Sequence, residues 1–246
     1  MPRIKLILAY VGTNYHGWQI QKNGLTIQEV LETQLSRICN QPIRVHGSGR
    51  TDAGVHALGQ VAHFDAPDSR LDFDWQLALN AMLPKDIAIV DTSPVPPDFH
   101  ARFSALHKHY SYTLWTEPRF TLPQRAPLVW AVHNLDLEAM DQAATYLAGT
   151  HDFAAFQNSG ADTSSTVRTL EPMIRTPGQY PGEWVYHFQA NGFLKQMVRN
   201  LMGFLVQVGR GALLPQKAQE ILSGKDRCQA PGTAPPQGLC LEQVFY

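Results

Sequence analysis

Stretches that read as strands alternate along this chain with stretches that read as helices, and their order narrows the architecture before any single residue is weighed. Arg3 to Gly12 reads as a strand. Thr26-Ile27-Gln28-Glu29 is a capping box, in which a hydroxyl and a carboxylate satisfy free amides at a helix start. Ile27, Val30, Leu31, Leu35 and Ile38 then recur at helical spacing. Ile43 to His46 is a short strand entering a glycine-rich segment, and Val55 to Asp65 is a second extended stretch with Gly59 as a bulge position. Asp72 to Leu83 reads as a helix and Asp86 to Val95 as a strand, and Pro94, Pro96 and Pro97 mark a boundary. A comparable order follows. Lys108 to Thr116 is a strand with Tyr110, Tyr112 and Leu114 on one face, and Leu135 to Leu147 is a helix. Asn158 to Thr166 is a polar loop, Val167 to Arg175 and Trp184 to Ala190 are strands, and Leu194 to Val208 is a helix. A Pro/Gly loop over 229–238 leads to a closing strand, Leu239 to Phe245. The predicted class is α+β, with two successive sheet-plus-helix domains at 1–105 and 106–246. No residue-level repeat joins the halves.

With 44% apolar and 17% charged residues, the 246-residue chain has the material for a packed core. It has no apolar run of about 20 residues that would make a transmembrane helix. Ile4 to Val11 is interrupted by Lys5 and lacks a cleavage-type ending, so it reads as a strand rather than a signal peptide. Cys39, Cys228 and Cys240 are odd in number and far apart. That argues against a disulfide framework or a cysteine zinc site, and for three buried, inert thiols in a reducing cytoplasm.

The formal net charge of −1 argues, by itself, against a polyanionic partner. The local distribution argues the other way. Residues 33–51 carry Arg37, Arg44 and Arg50 with no acid. Residues 99–116 carry Arg102 and Lys108 with no acid, and residues 184–219 carry Lys195, Arg199, Arg210 and Lys217 with none. Windows of this length also arise by chance, but three that converge make a positive cleft on a neutral protein. In the expected helix from Leu194, Lys195 and Arg199 are four apart and share a face beside the stripe of Leu194, Met197, Val198, Leu201, Met202 and Leu205.

The segment Gly47 to His56 is the densest in unusual chemistry. Arg50, Thr51 and Asp52 stand between glycines at 47, 49 and 54. A carboxylate two residues from a guanidinium stays ionised and available as nucleophile or base. Local chemistry alone is met as well by a structural turn whose Asp caps the backbone. Other motifs fail. Gly47-Ser48-Gly49 begins like a dinucleotide fingerprint, but Asp52 stands where its third glycine belongs. There is no phosphate-loop motif, no nucleophile elbow and no histidine or cysteine set at metal-ligand spacing. Tyr110 and Tyr112, beside Lys108 and Arg102, suit bases removed from their stack, although a half-buried sheet position explains Tyr112 better.

The segment Gly-Ser-Gly-Arg-Thr-Asp-Ala-Gly-Val-His-Ala at 47–57 resembles the signature of the tRNA pseudouridine synthase A (TruA-type) family. The resemblance runs along nearly the whole chain. It includes Tyr10-Val-Gly-Thr-Asn-Tyr-His-Gly-Trp-Gln19, Gly59-Gln-Val-Ala-His-Phe64, Phe99-His-Ala-Arg-Phe-Ser-Ala105 and Lys108-x-Tyr110-x-Tyr112. It continues through His151-Asp-Phe153, Thr166-Val-Arg168, Phe193-Leu-Lys-Gln-Met-Val-Arg-Asn200 and Ala234-Pro-Pro-x-Gly-Leu239. Several motifs in order are more specific than any one of them.

The resemblance implies two similar ferredoxin/RRM-like domains with the active-site cleft between them, a homodimer, and conversion of uridine to pseudouridine in the anticodon arm of tRNA, at tRNA positions 38–40. It implies Asp52 as the catalytic residue and Tyr110 as the tyrosine packed against the target base. Arg50 matches the arginine that pairs with that aspartate and helps extrude the base, and Arg199 falls at a basic position near the site. Lys195 stands where an arginine is more usual, so it keeps the charge and loses the bidentate fork. The reaction breaks N1–C1′ and joins C5 to C1′ without redox change, so it implies no cofactor. Asp52 has three routes open: attack at C1′, attack at C6, or removal of the C2′ proton. Two other classes stand beside this one. One is a non-catalytic RNA-binding protein on the same fold, and the other is a hydrolase using Asp52 with His56 or His63.

Overall fold

Every second residue of Arg3–Tyr10, strand β1, is buried in the computed structural model, which describes residues 1–70, 73–160 and 163–246. Ile4, Leu6, Leu8 and Tyr10 form the buried face, the alternation expected of a strand covered on one side. The described residues divide into two compact units, 1–106 with 240–246, and 107–239. No helix among them is long and apolar enough to cross a membrane.

In the first unit β1 is central. It pairs antiparallel with β3, His56–Asp65, on one side and with β4, Ile87–Val95, on the other. Helix α1, Ile27–Cys39, starts at the capping box, where the Thr26 hydroxyl accepts from Glu29 N at 3.3 Å. It buries Ile27, Val30, Leu31 and Leu35, four of the five residues its spacing selected, while Ile38 is half-buried. The short β2, His46–Gly47, pairs with β3. Helix α2, Trp75–Met82, is capped by Asp74, whose carboxylate accepts from Leu77 N at 2.9 Å. The expected helix start, Asp72, lies outside the described residues. Gly59 sits in the expected bulge: Leu8 pairs with Gln60 and Tyr10 with Ala57, so Leu58 and Gly59 together oppose Ala9. The chain end, β11, Leu239–Phe245, pairs parallel to β3 at Cys240–His56 and Leu241–Ala57.

The second unit is built on β5, His107–Trp115, and β10, Glu183–Ala190, antiparallel over eight residues. The two-residue β6, Trp130–Ala131, runs parallel to β5. β7, Gly149–Asp152, pairs with β8, Val167–Leu170, and β9, Ile174–Pro177, pairs with β10. Helix α3, Leu137–Thr145, is capped by Asp136 and packs against α4, Met197–Gly209, whose apolar residues are almost all buried.

Four expectations need correction. Val167 to Arg175 is two strands, because Pro172 has no N–H to continue a ladder. The helix expected from Leu194 begins at Met197. Gln196 before it sits at φ 60° with its amide oxygen accepting from Asn158 Nδ2, so Lys195 precedes the helix and shares no helical face with Arg199. A further helix, α5, Lys217–Gly224, lies in sequence with no apolar stripe strong enough to announce it. All three thiols are free, but none is fully buried: Cys39 and Cys240 are half-buried and Cys228 is exposed. Of the expected polar loop Asn158 to Thr166, Ala161 and Asp162 lie outside the described residues.

The turn after β1 is laid backbone-to-backbone on the glycine-rich loop before β3. Trp18 N donates to Thr51 O at 3.0 Å, and Gly54 N to Tyr15 O at 3.3 Å. A Cβ on Gly12 would stand 1.9 Å from Val55 O, and one on Gly17 would stand 2.5 Å from Thr51 O. Gly17 also has φ 82°, a conformation that side chains resist. Gly17→Ala is therefore expected to destabilise the protein by about 2 kcal/mol or more, from strain and a backbone clash together. Thermal unfolding checks this: a Tm drop of at least roughly 4 °C is expected for a chain of this size, and an unchanged Tm would refute the close approach.

Candidate active site

Asp52 is held by what surrounds it in the chain. Ser48 and Thr51 are buried, Arg50 and Ala53 are exposed, and Asp52 is half-buried. Ser48 N donates to Val61 O at 2.7 Å, which continues the β2–β3 pairing into the loop. Asp52 O accepts from Val55 N at 3.1 Å, closing a turn in which Gly54 takes φ 79°. Both ends of the Arg50-Thr51-Asp52 segment are thus fixed by main-chain bonds.

Beneath the loop lies a buried polar network that the sequence did not announce. Thr51 Oγ1 and Tyr10 Oη are 2.8 Å apart. Ser48 Oγ donates to Gln60 Oε1 at 2.7 Å, and Gln60 Nε2 donates to Gly49 O at 3.1 Å and, at 3.5 Å, toward Tyr10 Oη. Gln60 and Ser48 are wholly buried, so these bonds satisfy groups that would otherwise be stranded. Burial pushes the Tyr10 phenol up, out of reach of neutral pH, so it stays a neutral hydrogen-bonding group. The one available sequence signal was Gln60, a carboxamide set in the otherwise apolar run Val61-Ala62 of a strand.

The two histidines considered as bases have structural work. His56 Nδ1 accepts from Gly12 N at 3.0 Å, and His63 Nδ1 accepts from Ala101 N at 3.1 Å. Burial, aided by the charges of His100, Arg3 and His46, lowers His63 to about 4, so it is neutral at physiological pH. Arg50, expected to pair with Asp52, is exposed.

The remaining expected residues lie in the second unit. Tyr110 on β5 is 8% exposed, with the Phe193 ring edge-on to it at 5.1 Å between centroids. Tyr112, two residues along the same face, is fully buried; its hydroxyl donates to Pro235 O at 2.6 Å and burial pushes its phenol up. It is a core residue. Arg199 lies in the first turn of α4 and its Nε donates to Ala234 O at 2.8 Å. Lys195 donates to Ser159 O at 2.7 Å. Behind Arg199, the fully buried Asn200 bonds Phe156 O and Asn158, while Arg227 reaches Asn158, Asn200, Thr233, Ala230 O and Pro231 O. This network fastens the Pro/Gly loop over 229–238 to the start of α4. The first unit holds Asp52 on a fixed loop; the second, taken by itself, holds a shielded tyrosine and a guanidinium.

A family model described as tRNA pseudouridine synthase matches residues 6–104 and 143–246, which include Arg50, Asp52 and Arg199, while Tyr110 falls in the interval between. The chain is 53% identical over 251 residues to the tRNA pseudouridine synthase A of Solidesulfovibrio magneticus, covering all of this chain and 92% of that one. It is 52% identical to that of Maridesulfovibrio salexigens, covering all of this chain and 91% of the relative. It is 48% identical to that of Chlamydia muridarum, covering 99% of this chain and 92% of the relative. With its signature loop and both of its units inside these matches, the chain belongs to the tRNA pseudouridine synthase family.

Proposed function

We propose that this protein isomerises uridine to pseudouridine in the anticodon arm of tRNA, in the cytoplasm, with Asp52 as its catalytic carboxylate. The observation that carries the reading is a half-buried Asp52 on a loop whose flanking backbone is bonded at Thr51, Asp52 and Gly54. A carboxylate fixed before substrate arrives suits a reaction whose only requirement is a group positioned at the sugar or the base. In that reaction N1–C1′ breaks, the uracil turns, and C5 bonds to C1′. The proton on C5 leaves to solvent and N1 gains one, so atoms balance with no outside reactant.

Tyr110, Arg50 and Arg199 are assigned to the substrate. Tyr110 offers a ring face for the extruded uracil, and unstacking in a loop costs about a few kcal/mol that such packing offsets. Exposed Arg50 is suited to the displaced strand. Arg199 supplies charge toward phosphate. A two-fold homodimer, with one subunit gripping the RNA while the other performs chemistry, would enlarge the basic surface that a chain of net charge −1 offers to tRNA.

Three outcomes follow. Asp52→Asn should abolish tritium release from tRNA carrying tritium at uridine C5 while tRNA binding persists; release within about tenfold of wild type would remove Asp52 from the chemistry, and binding without release by the wild type would make the protein a non-catalytic binder. Tyr110→Ala should reduce the single-turnover rate more than Tyr112→Phe does. The reverse order, with both variants folded, would refute the assignment of Tyr110. Affinity for tRNA should fall steeply with salt, each neutralised phosphate adding a slope of roughly −0.7 to −0.9, and Arg199→Ala should flatten the slope by about one. A salt-independent binding constant would contradict the basic surface, and light scattering from a fully active monomer would contradict the dimer.

A further inference from the structure

Residues 96–104 form a turn in the first unit that is bonded at almost every peptide. Arg3 Nη1 donates to Pro97 O at 2.6 Å and Phe99 O at 2.9 Å, while its Nε holds Asp65 at 2.8 Å. Phe99 N donates to Pro96 O at 3.0 Å. His100 N donates to Ser104 Oγ at 3.0 Å, and Ser104 N returns to His100 O at 2.9 Å. His100 Nδ1 accepts from Arg102 N at 3.1 Å and, more weakly, from Phe103 N at 3.4 Å. Ala101 is gripped on both sides, its N by His63 Nδ1 at 3.1 Å and its O by the Tyr246 hydroxyl at 2.7 Å.

From this fixed turn the Phe103 ring stands 76% exposed. A lone exposed phenyl on a mobile loop would need no explanation. Here the ring is backed by others: it lies 4.4 Å from the His100 ring at 37°, and His100 lies 4.7 Å from His63 and 5.7 Å from His46. His46 and His63 are themselves stacked at 5.1 Å and 21°. The Arg102 guanidinium sits 5.5 Å from the Phe103 centroid. His100 is lowered first by burial and then by the charges of His46, Arg3 and Arg102, while Asp65 acts on both Arg3 and His63.

We propose that Phe103, with His100 behind it and Arg102 beside it, is a stacking platform for an unstacked tRNA nucleotide other than the uridine being isomerised, the guanidinium taking the adjacent phosphate. A ring face with a cation at its edge, on a scaffold that loses no entropy when the ligand arrives, is the chemistry by which proteins hold single-stranded RNA. The inference rests on the tRNA reading above and adds to it a contact made by neither the signature loop nor Tyr110.

Fluorescence anisotropy of the full chain with an unmodified tRNA transcript tests it. Phe103→Leu keeps the apolar bulk and loses the π face; it should weaken binding by roughly five- to a hundredfold, the loss falling on KM. Phe103→Trp should bind at least as well as wild type, with its added indole emission quenched by tRNA. Arg102→Gln should flatten the salt slope by about one. Phe103→Leu binding within about twofold of wild type would overturn the platform. So would a shift of that variant from dimer to monomer with tRNA affinity intact, since the ring would then meet a second copy of the chain. Wild type that neither binds nor modifies tRNA would sink the functional reading itself, whereas an active wild type matched by Phe103→Leu would sink only the platform.

Discussion

Two stretches of backbone meet without side chains between them, and the loop that carries Asp52 depends on that contact. Gly12 and Gly17 let the turn after β1 lie on Thr51, Asp52 and Val55, where any Cβ would fall inside van der Waals distance. The bonds Trp18 N to Thr51 O and Gly54 N to Tyr15 O are possible only at that separation. The contact holds the loop from above and the Tyr10, Gln60, Ser48 and Thr51 network holds it from below. A buried network of this kind is stabilising only when every member is satisfied, which makes it intolerant of substitution and specific in geometry. The consequence for function is pre-organisation: a carboxylate carried on such a loop needs little rearrangement to meet a reacting sugar or base.

The second unit treats its two tyrosines differently although they share a strand face. Tyr112 is committed to the core by its hydroxyl bond to Pro235 O and by a close approach of Gly238 to its ring. Tyr110, nearer the start of β5, meets the edge of the Phe193 ring and retains slight exposure. The Asn200–Arg227 network ties α4 to the loop that receives Arg199 Nε at Ala234 O. Charge is therefore placed by buried hydrogen bonds rather than by a surplus of basic residues, which is how a chain of net charge −1 can serve a polyanion.

Much of this was legible in the residues because local chemistry and tertiary context agreed. The Thr26 capping box starts α1, the Ile27-to-Leu35 stripe is its buried face, and Gly59 marks a real bulge. What was not legible came from distant partners. The start of α4 is displaced because Gln196 is drawn to Asn158, thirty-eight residues away in sequence, and takes a left-handed conformation that no helical pattern foretells. Pro172 was a visible break that the extended pattern around it overrode. Arg50 and Asp52 are two residues apart, yet Arg50 is exposed and Asp52 half-buried, a difference that their spacing does not announce. Gln60 was read as one more strand residue, since only the fold shows that its carboxamide reaches Ser48 and Gly49.

The central claim is that this chain alone carries out the isomerisation on tRNA. Carbodiimide treatment followed by primer extension reads pseudouridine nucleotide by nucleotide on an unmodified tRNA transcript, with and without purified protein and with nothing else added. The account predicts new reverse-transcription stops confined to the anticodon arm of the treated transcript. A treated transcript with no new stop anywhere, from protein that is folded and binds the RNA, would contradict it.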